Sequence, residues 1–196
     1  MNQDALPGLL TVILAGGESN RMGTDKALLP CGNMTLIEKV TREALSLGFL
    51  TVISTAQGRH YPMVSDVPHV EDLYPHTGPI GAIRTVMESL PFDYYLFWPV
   101  DMPLLTPSLW MRLMDAIRGE KFSLVWPRTG DKIHPLPGIY HRNTLTWIRR
   151  RMAFGHLSLY GMMYRNPTKI IDCTDLSPYF ANLNTPDDRN ICEQEG

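Results

Sequence analysis

Long apolar runs are missing from this 196-residue chain, and so is an excess of charge of either sign. The stretch LLTVILA near the start is too short to span a bilayer, and no basic region precedes a long apolar segment, so neither a membrane span nor an export signal is expected. Eighteen Lys and Arg against twenty Asp and Glu leave a net charge of −2, too little to drive non-specific binding to a nucleic-acid backbone. Any anion site must be local. Cysteine is scarce: Cys31, Cys173 and Cys192 are odd in number, far apart and without a CxxC pair, so their spacing suggests neither a disulfide framework nor a zinc site. A reducing cytoplasm fits that usage. No internal repeat, low-complexity tract or linker is visible, and 44% hydrophobic residues suffice for one core, so residues 1–196 read as a single domain.

What is present alternates between strand and helix patterns. Leu9 to Leu14, LLTVIL, is a short continuous apolar run rich in β-branched residues, as in a strand covered on both faces. A polar loop follows, then LIEKVTREALSL at 36–47 with helical apolar spacing ended by Gly48, then the strand LTVIST at 50–55. That order is a βαβ unit. Further on, the sequence predicts a helix over 81–90, a strand over 94–100, a helix over 107–117 with Thr106 as N-cap and Pro107 in its first turn, and a strand over 122–126. Strands at 136–141 and 168–172, a helix over 143–151 and a short terminal helix capped at Asn184 complete the reading. The expected fold is α/β, a three-layer α/β/α sandwich on a mostly parallel sheet, with ligands bound beyond the carboxyl ends of the strands. The loops at 15–26 and 99–104 fall at that edge.

The first of these loops is LAGGESNRMGTDKALL, Leu14 to Leu29. Gly16 and Gly17 let the backbone turn sharply and approach a ligand with no Cβ in the way, leaving amide N–H groups to face it. Arg21 and Lys26 add positive charge, a combination suited to phosphate oxygens. Two familiar phosphate loops are excluded by spacing. Five residues separate Gly17 from Gly23 and Ala27 follows the lysine, so there is no G-x-x-x-x-G-K-[ST], and G-x-G-x-x-G is absent as well. At the end of the most aromatic strand, PVDMPLL presents Asp101 between Pro99 and Pro103 at the same edge. A carboxylate beside bound phosphates is suited to holding Mg2+ by one or two protein oxygens, with phosphate and water supplying the rest.

Together with Asp72, TGPIGAI at 77–83, VDMPLL at 100–105, HPLPGIY at 134–140 and NLNTPDD at 182–188, the glycine loop resembles the molybdenum cofactor guanylyltransferase family over nearly the whole chain. The resemblance implies a Rossmann-like nucleotidyltransferase fold that binds GTP and Mg2+. It implies a reaction in which the terminal phosphate of molybdopterin attacks the α-phosphate and expels pyrophosphate. Carried onto this chain, Leu14, Ala15, Gly16 and Gly17 contact the nucleotide through their backbones, Arg21 and Lys26 neutralise the triphosphate and its leaving group, and Asp101 binds Mg2+. Asp72 resembles the nucleoside-contacting acid, facing either guanine or ribose, and Gly78 and Pro79 the turn packed beside the base. Asn182 and Asn184 resemble late asparagines near the pterin phosphate, although Asn184 before Thr185-Pro186 is also a good helix cap. His134 and Pro135 are placed to line the pterin pocket or simply to pack.

One departure stands out. The second strand ends in Ser54-Thr55-Ala56 where the family often carries an asparagine that reaches the nucleoside, so either Ser54 or Thr55 replaces that contact or it is lost. A transferase using CTP or another phosphorylated acceptor, and a silent nucleotide-binding protein, are the alternatives. A receiving molybdoenzyme or its chaperone is the implied transient partner, and neither nucleic acid nor membrane is expected as one. The run Arg149-Arg150-Arg151 reads as a solvated helix face complementing the helix C-terminus.

Overall fold

A computed structural model describes residues 8–16, 25–118 and 122–183. Gly17, Arg21, Asn184 and the expected terminal helix lie outside the described residues. In chain order the elements are β1 (Leu9–Leu14), β2 (Pro30–Cys31), β3 (Met34–Thr35), α1 (Leu36–Ser46), β4 (Leu50–Thr55), β5 (His69–Glu71) and α2 (Pro79–Ser89). These are followed by β6 (Tyr94–Pro99), α3 (Pro107–Asp115), β7 (Leu124–Thr129), β8 (Lys132–Ile133), β9 (Gly138–His141), α4 (Leu145–Ala153) and β10 (Thr168–Asp172).

The main sheet runs in the order β10-β7-β9-β6-β1-β4-β5, with β8 attached to β7. Strands β6, β1, β4 and β5 are mutually parallel, as are β7 and β10. The exceptions are β9, antiparallel to both β6 and β7, and the β8 hairpin. A central strand buried on both faces needs apolar residues at every position, and β1 shows why: Leu9 and Ile13 belong to one core cluster, Leu10 and Val12 to the other. The first cluster takes Leu36, Ile37, Val40 and Ala44 of α1 with Leu109, Trp110 and Leu113 of α3. The second takes Ile80, Ile83, Val86 and Met87 of α2 with Ile148 of α4. Two helices therefore cover each face, which is the three-layer α/β/α sandwich.

Several boundaries differ from expectation for local reasons. The helix read over 81–90 begins two residues earlier, because Gly78 at φ 70° and ψ −160° turns the chain into Pro79, whose fixed φ suits the first helical position. Thr106 does occupy the N-cap position of α3, yet its side chain accepts no capping bond and its Oγ1 is buried with no partner among the described residues. Pro107 carries that helix start. The strand expected at 122–126 runs over Leu124–Thr129, set by pairing with β10. The one expected from 136 begins at Gly138, after the cis Leu136–Pro137 bond. Cys31 is disulfide-bonded, whereas Cys173 is free and buried. A pairing made by tertiary contact leaves no spacing pattern to read, which is why the sequence argued against it.

Candidate active site

The carboxyl ends of β1, β4, β5 and β6 open onto a cavity of about 410 Å³. Leu14, Ala15, Gly16, Lys26, Asp72, Gly78, Pro79 and Asp101 all line it, whereas Asn182, His134, Pro135, Ser54 and Thr55 do not. Asn182 is exposed and lies off the cavity, next to Leu183, whose N–H donates to the Asp101 carbonyl at 2.8 Å.

The exit of β1 is fixed from both sides. Ala15 N–H donates to Ser54 O at 2.9 Å, and Val100 N–H to Leu14 O at 3.1 Å. Gly16 then passes so close to the end of β4 that a Cβ would lie 3.0 Å from Ala56 N and from Thr55 C. Glycine is required there by contact as well as by any ligand.

Lys26 opens a single 3-10 turn, Lys26–Leu28, capped by Asp25, whose Oδ1 accepts from Ala27 N–H at 3.0 Å. The other oxygen, Oδ2, lies 3.2 Å from Arg59 Nη1 and 2.9 Å from the Tyr61 hydroxyl. That hydroxyl also approaches the Ala15 carbonyl at 3.2 Å, sharing one proton between two acceptors. Tyr61 is buried, and burial followed by the Asp25 charge raises its pKa, so it remains a neutral donor. It ties the strand that supplies Gly16 to the turn that supplies Lys26. Tyr61→Phe removes this tie without changing the ring, and is expected to cost about 1–2 kcal/mol in urea unfolding and to lower kcat/KM about tenfold. Unchanged kcat/KM would show that the turn holds Lys26 by itself.

Lys26 Nζ stands 3.8 Å from Asp101 Oδ2 across the cavity. The Asp101 turn is held by Met102 N–H to Pro99 O at 3.2 Å and by the buried Trp98 indole N–H to Met102 O at 3.0 Å. Burial pushes the Asp101 carboxyl above the usual range, with Lys26 opposing that push. A carboxylate so placed favours a cation beside it. Among the described residues no group of three or more His, Cys, Asp or Glu side chains gathers to hold a metal ion. Asp101 would thus hold one alone, with phosphate and water as remaining ligands, a donor set that fits Mg2+ better than zinc.

At the other end, Asp72 is buried at the end of β5. Its Oδ1 already accepts from Tyr74 N–H at 2.8 Å and from the Thr85 hydroxyl at 2.9 Å, so this oxygen shapes the loop. Oδ2 has no partner among the described residues and is the one available to a nucleoside. The loop reaches Gly78 by crossing Gly81, where a Cβ would lie 2.0 Å from Thr77 Oγ1 and 2.6 Å from Tyr74 O. Gly81→Ala is accordingly expected to destabilise by about 2–3 kcal/mol despite alanine's higher helix propensity, and to weaken nucleotide binding measured by calorimetry.

Ser54 and Thr55 are fully buried and do not line the cavity, so neither replaces the family asparagine. Ala56, Gln57 and Arg59 line it instead. Sequence reading missed Arg59, Gln57 and Asp25; their signal was position, since Gln57 and Arg59 directly follow a strand end at the ligand edge. His134 is also off the cavity. It is packed against Phe180 at 4.7 Å between ring centres, with Nε2 2.8 Å from Thr129 Oγ1, whereas Leu136 reaches the cavity wall.

Burial, then the Lys132 charge, lowers the His134 pKa from 6.5 to about 4. The unfolded chain takes up this proton first, so the stability is present above pH 6.5 and is lost as pH falls towards about 4, up to about 3 kcal/mol. Urea unfolding should show a steeper acid loss in the wild type than in His134→Gln; parallel curves would remove His134 as the cause.

The chain is similar to known proteins over most of its length. A family model described as the MobA-like NTP transferase domain matches residues 11–162. A probable molybdenum cofactor guanylyltransferase from Rhodopirellula baltica is 33% identical over 198 residues, covering 96% of this chain and 93% of its own. In fold, the chain is similar to molybdopterin-guanine dinucleotide biosynthesis protein A from Archaeoglobus fulgidus, with a TM-score of 0.79, 21% identity, and coverage of 94% and 97% of the two chains. It is also similar to a Mycobacterium tuberculosis protein solved in complex with manganese, with a TM-score of 0.66, 18% identity, and coverage of 95% and 98%. With a matching model over most of its length and a glycine turn, lysine and carboxylate converging on one cavity, this chain belongs to the MobA-like NTP transferase domain family.

Proposed function

We propose that this nucleotidyltransferase moves GMP from GTP to the terminal phosphate of molybdopterin, releasing pyrophosphate and forming the guanine dinucleotide cofactor. The observation that carries the reading is the pairing of Lys26 with Asp101 at 3.8 Å across a cavity floored by the Gly16 turn. A base-side carboxylate, Asp72, lines the same cavity.

In this reaction an acceptor phosphate oxygen forms a bond to the α-phosphorus while the bond from that phosphorus to the bridging oxygen of pyrophosphate breaks. The acceptor phosphate is already ionised near neutral pH, so no strong general base is needed, and catalysis is positioning and charge stabilisation. The backbone at Leu14, Ala15 and Gly16 cradles the nucleotide, with Gly17 continuing that cradle. Lys26, with Arg21, offsets charge on the triphosphate and the leaving pyrophosphate. Asp72 Oδ2 takes the nucleoside, and Gly78 and Pro79 pack against the base. Asn182 and Asn184 serve the acceptor phosphate side. Asp101 holds the divalent cation, Mg2+ in this reading, in keeping with the manganese bound by the Mycobacterium tuberculosis protein. Bound there, the ion polarises phosphoryl oxygens and neutralises developing charge.

The direct test is Mg2+-dependent pyrophosphate release from GTP in the presence of molybdopterin. Absence of turnover with every nucleotide would overturn the reading. The commitment of Asp72 Oδ1 to the loop leaves one oxygen rather than two for reading the guanine edge, and this favours keeping CTP as a second reading. A thermal-shift panel of GTP, CTP, ATP and UTP with Mg2+ separates them, since a ligand at about a hundred times its Kd adds about 2.7 kcal/mol. A receiving molybdoenzyme or chaperone is the transient partner this function calls for, in the cytoplasm. No described helix is long and apolar enough to cross a membrane.

A further inference from the structure

Charge is unevenly spread along the chain. From Lys132 to Ile171 there is no Asp or Glu, while seven Lys and Arg occur; the rest of the chain carries eleven against all twenty acids. Folding concentrates part of this excess at one place. Trp147, Arg150 and Arg151 of α4 meet Arg165 from the segment before β10 around a recess of about 280 Å³. The Arg150 and Arg165 guanidinium carbons stand 5.0 and 6.0 Å from the Trp147 ring centre. Arg151 donates to the Ser158 carbonyl at 2.9 Å and lies so tightly over Gly161 that a Cβ there would come within 2.2 Å of it. Among the described residues no carboxylate lines the recess.

Neighbouring arginines are treated differently. Arg149, one residue away, is paired with Glu88 of α2 at 2.7 Å. Arg150, Arg151 and Arg165 have no carboxylate partner among the described residues. Beside them, Phe154 is 74% and Tyr164 86% exposed. Arginine and aromatic side chains around a concave pocket are the composition of binding hot spots, and guanidinium forks pair carboxylates bidentately. Keeping three such cations without a carboxylate among the described residues, next to exposed rings, has a cost in charge repulsion and in apolar surface left in water, which a partner would relieve.

We propose that this recess docks an acidic segment of another protein, with one aromatic or long aliphatic side chain seated against Trp147 and carboxylates paired to Arg150 and Arg165. Charge complementarity fixes the sign of the partner, and the recess volume matches one large side chain. A nucleic-acid surface would string its cations along a track, whereas here they close around one hollow. The Tyr160 hydroxyl donates to the Ile133 carbonyl at 2.8 Å, joining this surface to the β8 hairpin, and Leu136 just beyond lines the catalytic cavity. The inference is independent of which nucleotide or acceptor is used.

The test uses the full chain and a fluorescent dodecapeptide of Asp and Glu with Leu-Trp at its centre, read by anisotropy. Saturable binding is expected, weakened at least about tenfold by Arg150→Glu with Arg165→Glu and several-fold by Phe154→Ala. Thermal midpoint and pyrophosphate release should be unchanged in these variants. Equal peptide affinity in the double variant, no saturable binding, or tighter binding to single-stranded RNA or anionic vesicles than to the peptide would each overturn the proposal. So would burial of the recess by self-association, detected in sedimentation as a dimer that the double variant dissociates.

Discussion

Asp101→Asn is expected to lower kcat for pyrophosphate release by about 10³ while leaving the fold intact. The substitution keeps the shape of the side chain, and the bonds that hold the turn use backbone atoms, the Asp101 carbonyl and the Met102 carbonyl, that it does not alter. What it removes is a negative charge in a place where burial already raises the carboxyl pKa, so the wild-type charge is maintained there at a cost. A neutral amide can neither hold a hard cation as strongly nor orient it against the phosphates. Binding and chemistry should separate: metal-free GTP binds as well or better, since a carboxylate repelling the triphosphate is gone, while Mg2+ loses most of its effect on rate. A loss of less than about tenfold with an unchanged Mg2+ titration would take the metal from Asp101.

Lys26→Met is expected to reduce kcat/KM by about 10² to 10³, and its pH profile distinguishes it from a simple loss of fold. Lys26 is the cation that opposes the burial-driven rise in the Asp101 pKa. Without it that pKa rises further. If the reaction requires Asp101 ionised, activity needs a higher pH to reach its plateau, so the acid limb of kcat/KM moves up in the variant. Because the two side chains face each other, the double variant with Asp101→Asn should lose less than the product of the single losses. An unmoved acid limb would mean that Lys26 acts on substrate alone.

Local patterns carried most of the fold. Period and composition in β1, α1, β4 and β6 were strong because these elements are buried in ways that leave little choice of residue. The glycine loop pointed to a phosphate site because cations accompany its glycines, yet Gly16 is also demanded by its close approach to Thr55 and Ala56, a contact no local pattern announces. Lost to the sequence were properties made by distant contacts. Asp25 and Tyr61 meet across 36 positions, so their bond has no local signature. His134 looks like any loop histidine until Phe180 and Thr129 close around it. The triple arginine run read as one solvated face, yet Glu88 claims Arg149 while its two successors turn to Trp147 and Gly161. Asp72 lines the cavity, but the division of its two oxygens between loop and cavity depends on Thr85, thirteen residues later.

The reversed strand β9 changes how this enzyme can diversify. In a wholly parallel sheet every binding loop follows a strand, so all of them share one set of helix starts. Since Gly138 pairs with Phe97 in antiparallel register, the segment entering β9 arrives at the same rim that β6 leaves towards Asp101. One wall is thus supplied by residues that precede a strand, on a hairpin free of helix capping. Length changes between Thr129 and Leu136 can remodel that wall without touching Gly16, Lys26 or Asp101, so one side of the cavity can change shape while the other is kept.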